Sequence, residues 1–363
     1  MVKREEKRRG LRLVATGLFA GTVILVAGIA GVPGIPGVGA LAGPKNASRK
    51  SITPPALKEG DIVGLIAPAS PLDDNSVKKT VAYLQSRGFG VKVSHGYRSR
   101  DGYLAGGDEQ RAAEFNSMLR DPQVNAVFCL RGGYGSPRIL DQIDYAELRR
   151  NPKIVLGYSD ITAVLNAIER HAGVVSFHGP MAGELKAPTG FTSRYLWAAL
   201  SGTGRDFGDW GKGPGSRLNE WRTIAGGTAE GKLVGGNLSL VSATMGTPYE
   251  VDTNGAILFL EEVSERPFRV DRMLNQLRLA GKLKQLKGAL LCRFTNCRGG
   301  SNSRSLDTIF KEYLGPLGIP VLAYFPAGHV SDQATLPVGA RVRLDATAKK
   351  LSIVGAMVRT PAN

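Results

Sequence analysis

Cysteine is scarce in this sequence, which includes only Cys129, Cys292 and Cys297 and contains no Cys-x-x-Cys pair. An odd number of cysteines without that spacing argues against both a disulfide framework and a structural zinc site. Cys129 lies in an apolar run and is predicted to pack in a core. Pairing of Cys292 with Cys297 in an oxidising compartment is the alternative. We expect no metal and no cofactor.

Nucleic-acid-binding motifs are also absent. The 47 Lys and Arg residues outnumber the 31 Asp and Glu residues, for a formal net charge of +16, but they are not interleaved with aromatic residues. We therefore expect no nucleic-acid partner and interpret the charge as a basic surface that suits anionic surroundings, such as cell-wall polymers or lipid headgroups. Because 42% of the residues are hydrophobic, the chain can bury a core.

The N-terminal segment differs in composition from the rest of the chain. Residues 1–12 are rich in charge, whereas residues 13–43 carry no charged side chain and begin with a stretch apolar enough to enter a membrane. Arg8-Arg9 resembles a twin-arginine export signal, and Ala40-Leu41-Ala42 has the spacing of a signal-peptidase site. We predict that residues 1–50 are an export signal or a membrane anchor and that the folded part is in the periplasm or cell envelope. A cytoplasmic location is the alternative.

Short apolar runs alternate with helical patterns between residues 51 and 187. Strands are predicted at residues 61–67, 91–93, 126–130, 154–156 and 174–177. This alternation predicts an N-terminal α/β domain with a flavodoxin- or Rossmann-like parallel sheet covered by helices on both faces. In such sheets the functional site lies at the carboxyl ends of the strands.

The second half of the chain is richer in strands. Residues 188–228 contain Trp197, Trp210 and Trp221 among many glycines and are predicted to form a helix and then a linker or lid. The tryptophans would either cover a cleft or pack between domains. Residues 229–363 are predicted to form a mixed, strand-rich α/β domain that closes with an antiparallel pair. The active site is expected between the two domains.

Ser159 occupies a position typical of a nucleophile. It follows the strand at residues 154–156, after the break at Gly157, and precedes a predicted helix at residues 161–168. A strand, a sharp turn and a helix raise one side chain above the sheet edge, as in a nucleophile elbow, although Ile161 replaces the second glycine of that motif. The alternative is that Ser159 is a helix N-cap.

Two glycines follow the strand at residues 126–130. Gly132 and Gly133 belong to a Gly-Gly-Tyr-Gly segment that lacks the spacing of a phosphate-binding loop. The segment is therefore either a plain turn or a source of backbone N–H groups for an oxyanion hole. Both glycines fall at the sheet edge where Ser159 is predicted.

A serine hydroxyl becomes a nucleophile near neutral pH only beside an imidazole that a carboxylate orients. The chain has four histidines, His95, His171, His178 and His329. His329 follows a glycine after a predicted strand and is well placed to reach a cleft, although each histidine alone would also fit a structural role. Glu261 and Glu262 both follow a buried strand, and because neighbouring strand residues point to opposite faces, only one should reach the site. The other is expected to be a solvated charge.

Seven segments occur in the order found in one known family. They lie at residues 63–70, 131–138, 152–162, 177–181, 235–238, 260–263, and 328–329 with 335–339. Together they resemble the serine LD-carboxypeptidase family, which includes muropeptide LD-carboxypeptidases and microcin C self-immunity peptidases. The resemblance extends from Thr53 to the end of the chain and leaves out only the N-terminal segment.

The resemblance implies a Ser-Glu-His triad and an oxyanion hole in the groove between the domains. By motif, the triad is Ser159 as nucleophile, Glu261 as orienting carboxylate and His329 as base. The hole would use the backbone N–H of Asp160 and of Gly132 or Gly133. The family also implies a homodimer that binds no metal.

The implied activity is release of terminal D-alanine from peptidoglycan tetrapeptides by acyl transfer. Two alternatives accompany it. One is an immunity-type peptidase that cleaves a peptide–nucleotide amide, for which a tryptophan-bearing loop would stack on the base. The other is a cell-wall-binding module without turnover, in which the basic surface would make the contacts.

Overall fold

The computed structural model describes residues 51–203 and 220–360. The predicted export signal or anchor at residues 1–50 lies outside the described residues, as does Trp210. Among the described residues, no helix combines the length and the apolar character needed to cross a bilayer.

The first sheet has six strands. They are β1 (Ile62–Ile66), β2 (Gly90–Val93), β3 (Val124–Cys129), β4 (Ile154–Gly157), β5 (Ser176–His178) and β11 (Leu336–Val338). The order is β11-β5-β4-β3-β1-β2, with β1 to β5 parallel and β11 antiparallel at one edge. The parallel strands therefore follow the flavodoxin-like order 2-1-3-4-5, as the α/β prediction requires.

Four helices connect β1 to β5 in turn, and a fifth follows β5. They are α1 (Asp74–Ser86), α2 (Asp108–Arg120), α3 (Tyr145–Arg150), α4 (Thr162–Ala167) and α5 (Gly190–Ser201). Three of these helices begin with a side-chain N-cap, as at α1, where the Asp73 carboxylate accepts the Ser76 N–H at 2.8 Å. A π-helical turn continues α4 to Ala172, where Gly173 adopts a left-handed conformation and ends the helix.

The second sheet has seven strands. They are β6 (Arg222–Ala225), β7 (Thr228–Asn237), β8 (Ala256–Val263), β9 (Gly288–Thr295), β10 (Val321–Ala323), β12 (Arg341–Asp345) and β13 (Lys350–Ile353). Helices α6 (Leu238–Ala243), α7 (Pro267–Leu279) and α8 (Leu306–Leu314) accompany them. The order is β13-β12-β7-β8-β9-β10-β6, with β7 to β10 parallel. The predicted closing pair is present as antiparallel β12 and β13.

The two halves of the chain exchange strands. β6 lies within residues 188–228, predicted as a linker or lid, and pairs antiparallel with β10 of the second sheet. β11 lies within residues 229–363 and pairs with β5 of the first sheet. The larger of the two hydrophobic clusters formed by the described residues accordingly contains side chains from both halves, among them Phe177 and Phe259. The sheets therefore pack directly on each other and share a core.

The described tryptophans pack against other side chains. Trp197 stacks on Phe89 with ring centroids 5.1 Å apart, and its indole N–H donates to the Tyr83 hydroxyl at 3.0 Å. Trp221 is buried against Phe325. All three cysteines are buried as free thiols, so the alternative of a disulfide between two of them is wrong.

Candidate active site

Ser159 lies just beyond the carboxyl end of β4. It is one of five non-glycine residues in the described ranges with a left-handed backbone, at φ 56°, and it opens a short 3₁₀ turn, Ser159–Ile161, that leads into α4. Gly157 permits this turn, because a Cβ there would lie 2.9 Å from the Ile161 side chain. Left-handed non-glycine residues are strained and concentrate at functional sites. Ser159 is not an N-cap, since its hydroxyl bonds to a side chain of the second half.

That partner is His329, in the loop that crosses from β10 of the second sheet to β11 of the first. His329 Nε2 lies 3.1 Å from Ser159 Oγ, and His329 Nδ1 lies 2.8 Å from Glu261 Oε2. In the tautomer that donates Nδ1–H to Glu261, Nε2 accepts the serine hydroxyl. The Thr295 hydroxyl holds the loop by donating to the His329 carbonyl at 2.9 Å. The three predicted triad side chains therefore form one chain of hydrogen bonds.

Glu261 is fully buried in β8. The pairing of β8 with β9 shifts register between Leu260 and Glu262, so Glu261 stands at an irregularity of the kind that re-aims a side chain. Gly328 passes close to the carboxylate: a Cβ at Gly328, where φ is 99°, would lie 2.5 Å from Glu261 Oε2. The glycine before His329 therefore allows the close approach of the loop to β8.

Glu262 is also buried, so the expectation of a solvated charge is wrong. Its Oε1 accepts the Asn237 side-chain N–H at 3.0 Å, and its Oε2 accepts the Ser239 backbone N–H at 2.8 Å and hydroxyl at 2.7 Å. These hydrogen bonds offset the free-energy cost of burying the Glu262 carboxylate. Only Glu261 reaches His329, as the alternation of strand side chains requires.

The charge of Glu261 governs the titration of His329. Burial alone would lower the pKa of His329, but the hydrogen bond to Glu261 and its negative charge outweigh that effect and raise the pKa above the ordinary value. His178 differs: it is fully buried, and burial lowers its pKa to about 4, so it is neutral at pH 7. Its Nε2 lies 3.9 Å from Glu261 Oε1, too far for a hydrogen bond.

Gly132 and Gly133 lie near the hydrogen-bond chain that begins at Ser159, but the two glycines face different groups. A Cβ at Gly132 would lie 3.4 Å from Ser159 Oγ, so its backbone runs alongside the serine hydroxyl. A Cβ at Gly133, where φ is 101°, would lie 2.2 Å from Ser70 Oγ. Of the two glycines, Gly132 is the one next to the serine.

Asp160 is buried with its side chain directed at the turn that contains these glycines. Its Oδ2 accepts the Ser136 N–H at 2.7 Å, and its carbonyl accepts the Ser136 hydroxyl at 2.6 Å. Ser136 thus ties the glycine turn to the serine turn. Sequence reasoning missed this role of Ser136, although the residue falls in the segment 131–138 that contributed to the resemblance.

A cavity of about 380 Å³ opens beside His329. Its lining includes Tyr158, Glu184, Thr192 and Gln333. Sequence reasoning gave Glu184 and Tyr158 no role: Glu184 lies outside the seven segments, and Tyr158 lies in the segment 152–162, where only Ser159 and Asp160 received roles. Among the described residues, no group of His, Cys, Asp and Glu side chains has the arrangement of a metal site.

Two family models match this chain. The LD-carboxypeptidase N-terminal domain matches residues 63–179, and the LD-carboxypeptidase C-terminal domain matches residues 230–344. The chain belongs to the LD-carboxypeptidase family. Members of this family are peptidases, so the chain is a serine carboxypeptidase, a hydrolase, and the predicted fold class and family are confirmed.

Named relatives agree with the family models. The chain is 39% identical over 313 residues to a probable murein peptide carboxypeptidase of Bacillus subtilis, and the alignment covers 84% of this chain and 95% of the relative. It is 33% identical over 289 residues to the murein tetrapeptide carboxypeptidase of Pseudomonas aeruginosa, and that alignment covers 76% of this chain and 91% of the relative. Among solved structures, MccF in complex with glutamyl sulfamoyl guanosine aligns with a TM-score of 0.75 at 24% identity over 85% of this chain and 99% of MccF. That likeness shows the shared fold.

Proposed function

We propose that this LD-carboxypeptidase releases terminal D-alanine from peptidoglycan tetrapeptides, with Ser159 as nucleophile, His329 as base and Glu261 as orienting carboxylate. The observation that carries the proposal is the hydrogen-bond chain from Ser159 Oγ through His329 to Glu261. The names of the murein peptidase relatives support the substrate class.

The first step forms a covalent bond to the serine. Ser159 Oγ attacks the carbonyl carbon of the amide that joins the diamino acid to D-alanine, while His329 Nε2 takes the hydroxyl proton. Glu261 stabilises the imidazolium that results. The backbone N–H groups of Asp160 and Gly132 are the proposed oxyanion donors, and each such donor contributes about 3–4 kcal/mol in other hydrolases.

The second half of the reaction returns the enzyme to its starting state. His329 gives its proton to the leaving nitrogen as the C–N bond breaks, and D-alanine departs. A water then attacks the acyl-enzyme carbonyl while His329 takes a proton from that water, and His329 passes this proton to Ser159 Oγ as the ester bond breaks. The scheme uses only side-chain and backbone groups of this chain and water.

Incubation with a purified muropeptide tetrapeptide tests the proposal. The expected product is the tripeptide, detected by mass spectrometry as the loss of one D-alanine. Ser159→Ala is expected to lower turnover by about 10⁴-fold or more while its far-UV circular dichroism stays that of the wild type. Binding of the tetrapeptide by wild-type protein without loss of D-alanine would favour the cell-wall-binding module.

The immunity-type alternative needs an aromatic side chain that stacks on a nucleobase. The described tryptophans, Trp197 and Trp221, pack against Phe89 and Phe325. No contact among the described residues favours a nucleotide substrate over a muropeptide. Mass spectrometry with an aminoacyl sulfamoyl nucleoside in place of the tetrapeptide tests this alternative directly.

We further propose that residues 1–50 direct export or anchor the protein, and that the folded part acts as a homodimer on the outer side of the cytoplasmic membrane. The charged start and uncharged apolar stretch support export, and the family resemblance supports the dimer. Cell fractionation of the full chain and of a chain lacking residues 1–50 tests the first proposal. Light scattering of the purified protein tests the second.

A further inference from the structure

The cavity beside His329 carries a carboxylate. Glu184 is exposed on its wall, and its Oε1 accepts the Tyr158 hydroxyl at 2.7 Å while its Oε2 accepts the Met181 backbone N–H at 3.0 Å. The Tyr158 ring in turn lies 4.8 Å from the His329 ring, measured between centroids. Glu184 is therefore held in place next to the proposed base, with acceptor capacity left on both oxygens.

Glu184 has no lysine or arginine partner among the described residues that line this cavity. No Lys or Arg is among the described residues that line it, and the other polar groups there come from threonine, serine, tyrosine, glutamine and the imidazole of His329. A volume of about 380 Å³ lies within the range of roughly 300–1,000 Å³ found for ligand pockets. The cavity therefore suits a substrate group that is cationic and extended.

The proposed substrate supplies one such group. The amide to be cleaved joins a diamino acid to D-alanine: D-alanine ends in a carboxylate, whereas the diamino acid carries a second amino group that is cationic at neutral pH. Glu184 would repel the carboxylate of D-alanine, because like charges at close range disfavour binding. It would pair with an ammonium group through charge-assisted hydrogen bonds.

We propose that Glu184 is a specificity residue that binds the side-chain ammonium group of the diamino acid, so that the cavity beside His329 receives that side chain on the acyl side of the cleaved bond. The inference rests on the proposed function, since it names the part of the same substrate that enters this cavity. It assigns D-alanine to the opposite side of Ser159.

The test compares two tetrapeptides that differ only at the third residue, L-lysine in one and L-norleucine in the other. Norleucine keeps the aliphatic chain and lacks the ammonium group. Wild-type enzyme is expected to cleave the lysine peptide with a kcat/KM about tenfold higher, which corresponds to one charge-assisted contact. Glu184→Gln is expected to bring the ratio close to one, and Glu109→Gln, an exposed carboxylate on α2, is the matched control that should leave it unchanged.

The outcomes separate this inference from the proposed function. Equal kcat/KM values for both peptides in the wild type would overturn the inference and leave the D-alanine-releasing activity intact. An equal loss for both peptides in Glu184→Gln would also overturn it, because Glu184 would then act only by positioning Tyr158 and His329. Release of D-alanine from neither peptide by the wild type would instead overturn the proposed function.

A third peptide tests the reverse orientation. If the cavity received D-alanine, a peptide that ends in D-alaninamide would escape repulsion by Glu184, and wild-type enzyme would prefer it to the free acid. Loss of that preference in Glu184→Gln would overturn the inference. We expect Glu184→Gln to leave the ratio between acid and amide unchanged.

Discussion

Glu261 and Glu262 are neighbours in β8, both are buried, and they have different partners. We predict that Glu261→Gln lowers kcat by about 10⁴-fold, because an amide no longer holds His329 in the productive tautomer or stabilises its cationic form. Glu262→Gln is expected to lower the free energy of unfolding by about 1–3 kcal/mol, since the hydrogen bonds from Asn237 and Ser239 are disrupted, and to change kcat less than tenfold.

Turnover of the tetrapeptide and urea unfolding of both variants check this pair. Each variant is the control for the other, because the two substitutions are chemically identical and adjacent. An inactive Glu262→Gln beside an active Glu261→Gln would contradict the proposed roles.

We expect the pKa of His329, which is raised above its ordinary value, to set the acidic limb of the pH profile. A general base must be neutral, so kcat/KM is expected to fall as the pH drops through the pKa of His329 in the free enzyme, above the ordinary value of about 6.5. Residual activity in Glu261→Gln should persist to lower pH, because loss of that charge lowers the pKa of His329. Profiles of kcat/KM from about pH 5 to 9 check both expectations. An acidic limb at the same pH in both proteins would contradict the role of Glu261.

At the scale of elements, the loop between β10 and β11 must pass close to β8. We predict that Gly328→Ala strongly reduces kcat, because the added Cβ would lie 2.5 Å from Glu261 Oε2 at a backbone conformation that alanine disfavours. Gly318 is the matched control: its φ is 67°, but a Cβ there would meet no atom within 4 Å.

Gly318→Ala should therefore cost only backbone strain, about 1–2 kcal/mol of unfolding free energy, with kcat unchanged. Steady-state kinetics and thermal unfolding of both variants distinguish a shared backbone effect from a clash with the carboxylate. Equal kcat values for Gly328→Ala and the wild type would contradict the close approach.

Most elements could be predicted from the sequence, because apolar runs and helical periodicity are local signals. The exceptions depend on distant partners. β11 is three residues long and contains Pro337, so its propensity is weak, and pairing with β5 creates it. β6 lies in a segment whose glycines and tryptophans indicated a linker, and its partner β10 is about a hundred residues away along the chain.

The candidate site was predictable only in part. The segment around Ser159 stands out by local pattern, whereas the choice of Glu261 needed the family resemblance, because the irregular register of β8 has no signature in the sequence. The position of Glu184 beside His329 could not be foreseen, since the cavity brings together side chains from separate turns that only the folded chain juxtaposes.

At the scale of the whole molecule, the shared core predicts cooperative unfolding. We expect a chain of residues 51–363 to unfold in one calorimetric transition with equal calorimetric and van't Hoff enthalpies, because β6, β11 and the common core couple the two sheets. A fragment of residues 51–203 should fail to fold alone, since it exposes the β5 edge and the face that packs against the second half.

Differential scanning calorimetry of the long chain and circular dichroism of the fragment check this expectation. The complementary control is co-expression of the fragment with residues 204–363, which should recover soluble protein. Two well-separated transitions in the long chain, or a fragment with a sharp transition of its own, would contradict the coupling.

The order of the triad along the chain has a consequence for synthesis in the cell. Ser159 and His329 are 170 positions apart, and His329 lies in the loop that crosses from β10 of the second sheet to β11 of the first. During synthesis Ser159 therefore emerges from the ribosome long before His329, and until then the nascent polypeptide lacks the proposed base. Hydrolysis by the proposed mechanism therefore requires His329 to have been made, and a product that ends before His329 lacks the proposed base.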